Sequence, residues 1–157
     1  MKENTIIYNG FTIRENTSDK KAVDEVYIKK DYERSNFQMS SNDVWADLGA
    51  NIGAFSRLYA PQVKKIYAYE PSKDNFALLV KNVEQFDNVI CIDKAVSNKD
   101  GIIEFYERPV HNWRNSTRKH FKDAVLTILG STDINVPLKV TTVRSEEHTS
   151  ELQSHHD

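Results

Sequence analysis

The chain has 157 residues, 39% hydrophobic and 28% charged, with a formal net charge of −2 and one cysteine, Cys91. That length carries one core, that charge gives no global basic footprint for nucleic acid, and a lone cysteine excludes an internal disulfide and a cysteine-based zinc site. No apolar run approaches the ~18 residues of a membrane span and Met1-Lys2-Glu3-Asn4 opens no signal-peptide core, so we expect a cytoplasmic protein with no membrane and no nucleic-acid partner.

Thr5–Tyr8 and Phe11–Arg14 flank Asn9-Gly10, and Asn-Gly between two β-rich runs is the strongest short hairpin signal. Asp19 is expected to cap a helix reaching about residue 35. Val23, Val26, Tyr27 and Lys30 fall at helical spacing, so the apolar stripe is narrow. Residues 1–42 read as a hairpin and helix that precede the core and cover a sheet edge or a ligand mouth. Tyr27 and Tyr32 suit packing better than substrate contact.

The organising stretch follows. Val44-Trp45-Ala46-Asp47-Leu48 is a short apolar run containing an acid. Gly49-Ala50-Asn51-Ile52-Gly53 is a turn, and Phe55, Leu58 and Tyr59 begin a helical pattern that Pro61 ends. Strand, glycine turn and helix form the context in which a nucleotide-like ligand meets backbone N–H groups. Asn51 stands where the dinucleotide fingerprint has its second glycine, the one that lets a pyrophosphate lie on the backbone. Its amide suits a ligand without phosphates, such as S-adenosylmethionine. The plain alternative is a turn that needs glycine for geometry alone.

Lys65–Tyr69 is a second strand that stops at Glu70-Pro71. Ser72 caps a long helix whose Phe76, Leu79, Val80, Val83 and Phe86 predict one apolar face. Residues 88–92 make a third strand, with Cys91 as a buried inert thiol. Alternating strands and helices predict parallel pairing with right-handed crossovers in an α/β doubly wound sheet. Glu70, about 20 residues past the glycine turn, takes the position that faces ribose hydroxyls. Asp93 is placed to reach an adenine amino group, with the Ala95 backbone as the alternative. Residues 98–101 read as a turn and 102–106 as a strand. Residues 107–123, with Arg108, His111, Trp113, Arg114, Arg118, Lys119, His120 and Lys122, read either as a lid over an acidic or sugar-like acceptor or as a solvated loop. Residues 125–129 and 138–143 are further β-rich runs.

Asp47-Leu48-Gly49-Ala50-Asn51-Ile52-Gly53 with Ser56, then Tyr69-Glu70-Pro71, Ala95-Val96-Ser97, Asp100-Gly101 and Glu104-Phe105-Tyr106, resembles the FkbM family of S-adenosylmethionine-dependent methyltransferases over roughly residues 43–106. The resemblance implies the Rossmann-like class I methyltransferase fold. It implies that Gly49, Asn51 and Gly53 wrap the methionine part of the cofactor, that Asp47 helps hold its ammonium group, and that Glu70 holds the ribose. It also implies methyl transfer to an oxygen of a small-molecule or glycan-like acceptor. No catalytic residue and no metal site is assigned; His111 and His120 suit a loop better than a base.

The chain departs from the family after residue 143, where a further acidic strand is expected. Residues 144–154, RSEEHTSELQS, resemble the translation of a sequencing-library adapter. The expected organisation is therefore residues 1–42 before the core, 43–143 as a methyltransferase domain truncated after its first three core parallel strands, and 144–157 as a non-native tail. Such a fragment is expected to be inactive. Two other readings stay open: an NAD-type oxidoreductase half, which Asn51 and Glu70-Pro71 disfavour, and a non-enzymatic binding module or inert fragment. The oligomeric state is left open.

Overall fold

A computed structural model describes residues 4–29, 39–97, 101–107 and 136–144. It contains β1 Thr5–Tyr8, β2 Phe11–Arg14, α1 Asp19–Tyr27, β3 Val44–Leu48, α2 Ala54–Tyr59, a 3-10 turn Ala60–Gln62, β4 Lys65–Tyr69, α3 Lys73–Val83, β5 Val89–Ile92, β6 Ala95–Ser97, β7 Gly101–Glu107 and β8 Val136–Arg144. Tyr32, His111, His120, the polar segment beyond Glu107 and the run at 125–129 lie outside the described residues, as does the tail beyond Arg144. Among the described residues no helix is long and apolar enough to cross a membrane.

The core is a parallel sheet in the order β3-β4-β5, with Val44 opposite Lys65 and Leu48 opposite Tyr69, then Ile66 opposite Val89 and Tyr69 opposite Ile92. This is the α/β architecture that the alternating pattern predicts, each crossover being made by a helix. Trp45, Ile66 and Ala68 share one face. Tyr59, Ala60 and Val63 pack on Ile66 there, beside Trp45 and Phe55, while Leu79 and Val83 of α3 pack on Ala68. The other face leaves Leu48 59% and Ile90 40% exposed. Among the described residues β3 pairs with β4 alone.

The N-terminal hairpin forms as expected. Asn9 and Gly10 both take positive φ, 47° and 80°, the geometry of the tight turn whose twist matches its strands. Phe11 and Ile13 pack with Val23 and Val26 of α1 against Ile52, Ala54 and Leu78, so this layer belongs to the same core. Tyr27 serves packing, its ring edge-on to Phe11 at 5.1 Å. Asn82 of α3 clamps the layer: its Oδ1 accepts from the Thr12 N–H at 2.7 Å, and its Nδ2 donates to the carbonyls of Thr12 at 3.1 Å and Ile52 at 2.8 Å.

Several local expectations are corrected. Asp19 does not cap α1; Ser18 holds the N-cap position. The Asp19 carboxylate accepts instead from the Arg14 guanidinium at 2.9 Å on each oxygen, and Arg14 also donates to Asn75 Oδ1 at 2.6 Å. A buried cation satisfies a carboxylate better than one backbone amide does. Helix α1 ends at Tyr27. Ser72 does cap α3, accepting from the Asn75 N–H. The buried face of α3 is rotated from the predicted stripe: Asn75, Leu78, Leu79, Asn82 and Val83 are buried, and Val80 is 43% exposed. Beyond β5 a second sheet has the order β6-β8-β7. Arg144, the first residue of the expected tail, pairs in it opposite Ser97.

Candidate functional site

The carboxyl edge of the parallel sheet gathers the residues singled out in the sequence. Leu48, Tyr69 and Ile92 lie in one row across it, so Gly49, Glu70 and Asp93 follow as the next row. In open α/β sheets ligands bind outside this edge.

The glycine turn is fixed by bonds to β4. The N–H groups of Gly49 and Ala50 both donate to the Tyr69 carbonyl at 2.9 Å. The Asn51 N–H donates to Glu70 Oε2 at 2.8 Å, and Glu70 Oε1 accepts from the Ser72 N–H at 2.9 Å. Glu70 is only 4% exposed. Its carboxylate thus joins the glycine turn to the start of α3, a structural role that the sequence did not suggest. Electrostatically, the place where a phosphate-binding loop offers free N–H groups is held here by a carboxylate.

The two glycines differ. Gly53, φ 86°, lies against α3, and a Cβ there would stand 2.8 Å from Leu79 Cδ1. Its lack of a side chain serves helix packing. Gly49, φ 85°, has open space where a Cβ would project, so a ligand can approach its main chain. Asn51 takes φ 53°, tolerable for asparagine. Its Oδ1 is buried and has no hydrogen-bond partner, a group that calls for a donor.

Asp47 lies on the helix-facing side of β3. The Ser56 hydroxyl donates to its Oδ2 at 2.7 Å, tying β3 to the first turn of α2. Burial pushes the Asp47 carboxyl above its ordinary range, and the Ser56 hydroxyl and backbone N–H pull it partly back. Beside it opens a cavity of about 410 Å³, lined by Asp47, Gly49, Asn51 and Phe55 on one side and by Ala22, Glu25 and Val26 of α1 on the other. Of the residues expected to bind a cofactor, Asp47, Gly49 and Asn51 line this cavity. Glu70 and Gly53 are not among the residues that line it. Asp93 is exposed at the end of β5, two strands from β3 and so ~10 Å across the sheet. Among the described residues no cluster could hold a metal ion.

Sequence reasoning passed over Glu25 and Asn82. Glu25 carries no motif. Asn82 looks like a surface residue until its position on the Leu78–Val83 face is considered, and a polar residue flanked by apolar ones one turn apart is the signal that could have found it.

Fold and edge together define an α/β domain with a cavity beside its glycine turn. No family model matches the chain. A stretch of 59 residues is 36% identical to the probable cobalt-precorrin-6B C(15)-methyltransferase (decarboxylating) of Archaeoglobus fulgidus, covering 38% of this chain and 35% of that protein. The chain thus spans about a third of that curated relative. Among solved structures, the methyltransferase FkbM of Methylobacillus flagellatus KT is similar at 13% identity and a TM-score of 0.39, over 52% of this chain and 23% of that one. The tRNA m1G37 methyltransferase of M. jannaschii is similar at 18% identity and a TM-score of 0.35, over 82% and 47%.

The last likeness corrects one expectation. Nucleic acid was excluded as a partner on net charge, yet the similar structures include an enzyme that modifies tRNA. The physical reason is plain: net charge averages the whole surface, whereas nucleic acid reads local clusters of Lys and Arg.

Proposed function

We propose that this chain binds S-adenosylmethionine at the carboxyl edge of its parallel sheet, as part of a methyltransferase of the FkbM type. The observation that carries this reading is the buried Glu70 carboxylate on the Asn51 N–H. With Gly49 and Ala50 donating to Tyr69, the turn offers an acid where a dinucleotide needs amide donors. A ligand without phosphates and with positive charge fits such a turn, and a diphosphate is repelled by it. The NAD-type alternative loses on the same ground.

In this reading Gly49 and Asn51 lie along the methionine part, Asp47 holds the ammonium group, and Gly53 keeps the turn in place through its packing on α3. Glu70 acts on the ribose and Asp93 on the adenine. The methyl group passes from the sulfonium to an acceptor oxygen with the neutral thioether leaving. The sulfonium is already a good leaving group, so alignment carries much of the rate. A general base is needed only where the acceptor is a neutral hydroxyl. The family resemblance favours a hydroxyl of a small or sugar-like molecule.

Titration calorimetry with S-adenosylmethionine and with NAD tests the reading. Saturable heat with the first and none with the second is expected; the reverse order of affinity overturns it. Methyl-transfer trials should then offer RNA beside sugar-like acceptors.

A further inference from the structure

The cavity beside the glycine turn has a wall that no motif announces. Helix α1 presents Glu25 to it, opposite Asp47 and Asn51. Both carboxylates and the orphan Asn51 Oδ1 offer acceptors, and no Lys, Arg or His lines the cavity among the described residues. The complement of two carboxylates and an unpartnered amide oxygen, with no cationic side chain beside them, is a cation with several donors. A primary ammonium has three N–H donors and no acceptor.

Glu25 can turn towards such a group. Its ion pair is with Lys21, one helical turn back, at 3.8 Å, and the two side chains are 35% and 53% exposed. A pair this long and this wet holds its members weakly. The helix itself is held firmly. Val23 and Val26 are in the core, Asp19 is locked by Arg14, and Asp24 accepts from the Tyr8 hydroxyl at 2.7 Å. The backbone that carries Glu25 is thus fixed while its carboxylate keeps freedom.

We propose that Glu25 is a cofactor-binding residue whose carboxylate, together with Asp47 and Asn51 Oδ1, holds the primary ammonium end of the ligand; this rests on the S-adenosylmethionine reading above. The N-terminal layer then contributes directly to the site rather than merely covering it.

The test compares the 157-residue chain with its Glu25→Gln variant. Each is titrated with S-adenosylmethionine and with 5′-methylthioadenosine, a thioether that keeps the nucleoside and lacks the amino-acid end. Glu25→Gln should bind S-adenosylmethionine about three- to tenfold more weakly, the scale of a partly exposed charge-assisted contact. Its affinity for 5′-methylthioadenosine and its melting temperature should be unchanged. Unchanged affinity for S-adenosylmethionine overturns the proposal while leaving the cofactor reading intact. Equal losses for both ligands also overturn it, since they mark a general disturbance of the fold. Absence of S-adenosylmethionine binding by the unaltered chain refutes the cofactor reading, and the role of Glu25 falls with it.

Discussion

Asp47 combines two demands that oppose each other. Its burial raises the carboxyl pKa from an ordinary value of 3.8. A raised native pKa means that the folded chain holds the proton more tightly than the unfolded chain does. Stability therefore falls as pH rises from about 3.8 through the raised value. Replacing Asp47 by Asn removes that cost, and the new amide oxygen can still accept from Ser56. At pH 7 we expect Asp47→Asn to melt at the same temperature or higher, yet to bind S-adenosylmethionine about tenfold or more weakly, the scale of a lost bond to a charged group. Affinity of the unaltered chain should rise with pH across the Asp47 titration, and affinity independent of pH on the acid side of neutrality would count against the ammonium assignment. The two glycines give a second contrast at this scale. Gly53→Ala meets Leu79 at 2.8 Å in addition to its unfavourable φ, whereas Gly49→Ala meets only the φ penalty. We expect a loss of about 1 kcal/mol for Gly49→Ala and about 2–4 kcal/mol for Gly53→Ala in urea denaturation. Equal losses would show that α3 yields.

Among elements, α3 joins the hairpin to the glycine turn. Asn82 satisfies both backbone groups of Thr12 and the carbonyl of Ile52. Asn82→Ala leaves three buried polar groups without their partner and should cost about 3 kcal/mol or more. Amide exchange at Thr12 should accelerate by more than that at Ile66, because the hairpin loosens before the sheet does. Uniform acceleration would mean that the layers open together. These bonds also explain what the sequence made legible. The Asn9-Gly10 turn, the Ser72 cap and the three parallel strands each announce themselves within a few residues, and all were found. The buried face of α3 was not. Asn75 and Asn82 count as polar in a periodicity, and only partners 61 and 70 residues away make them interior. Asp19 misleads for a different, local reason: Arg14, five residues away, takes the carboxylate that a cap would use. At the site, Asp47, Gly49 and Asn51 were legible through the turn, while Glu25 reaches the cavity only through the packing of α1.

At the scale of the whole molecule, the parallel sheet is finished on one side. Helices cover one face, and Leu48 lies 59% exposed on the other, at the end of a strand with one partner among the described residues. An apolar strand edge of this kind pairs with other chains. The 157-residue product should therefore associate with rising concentration. Leu48→Lys should suppress that association in sedimentation without lowering the melting temperature by more than a degree or two, because Leu48 contributes little buried area. A concentration-independent monomer would show that the edge is already protected.

The Asn82 clamp bears on synthesis as well. Thr12 leaves the ribosome 70 residues ahead of the side chain that satisfies it. At ~5–20 residues per second, the Thr12 backbone waits about 4–14 s for its Asn82 partner. The glycine turn waits a shorter time, 30 residues, for the bond that Asn82 makes to Ile52 O. The junction between hairpin and glycine turn is thus completed only when Asn82 has been made.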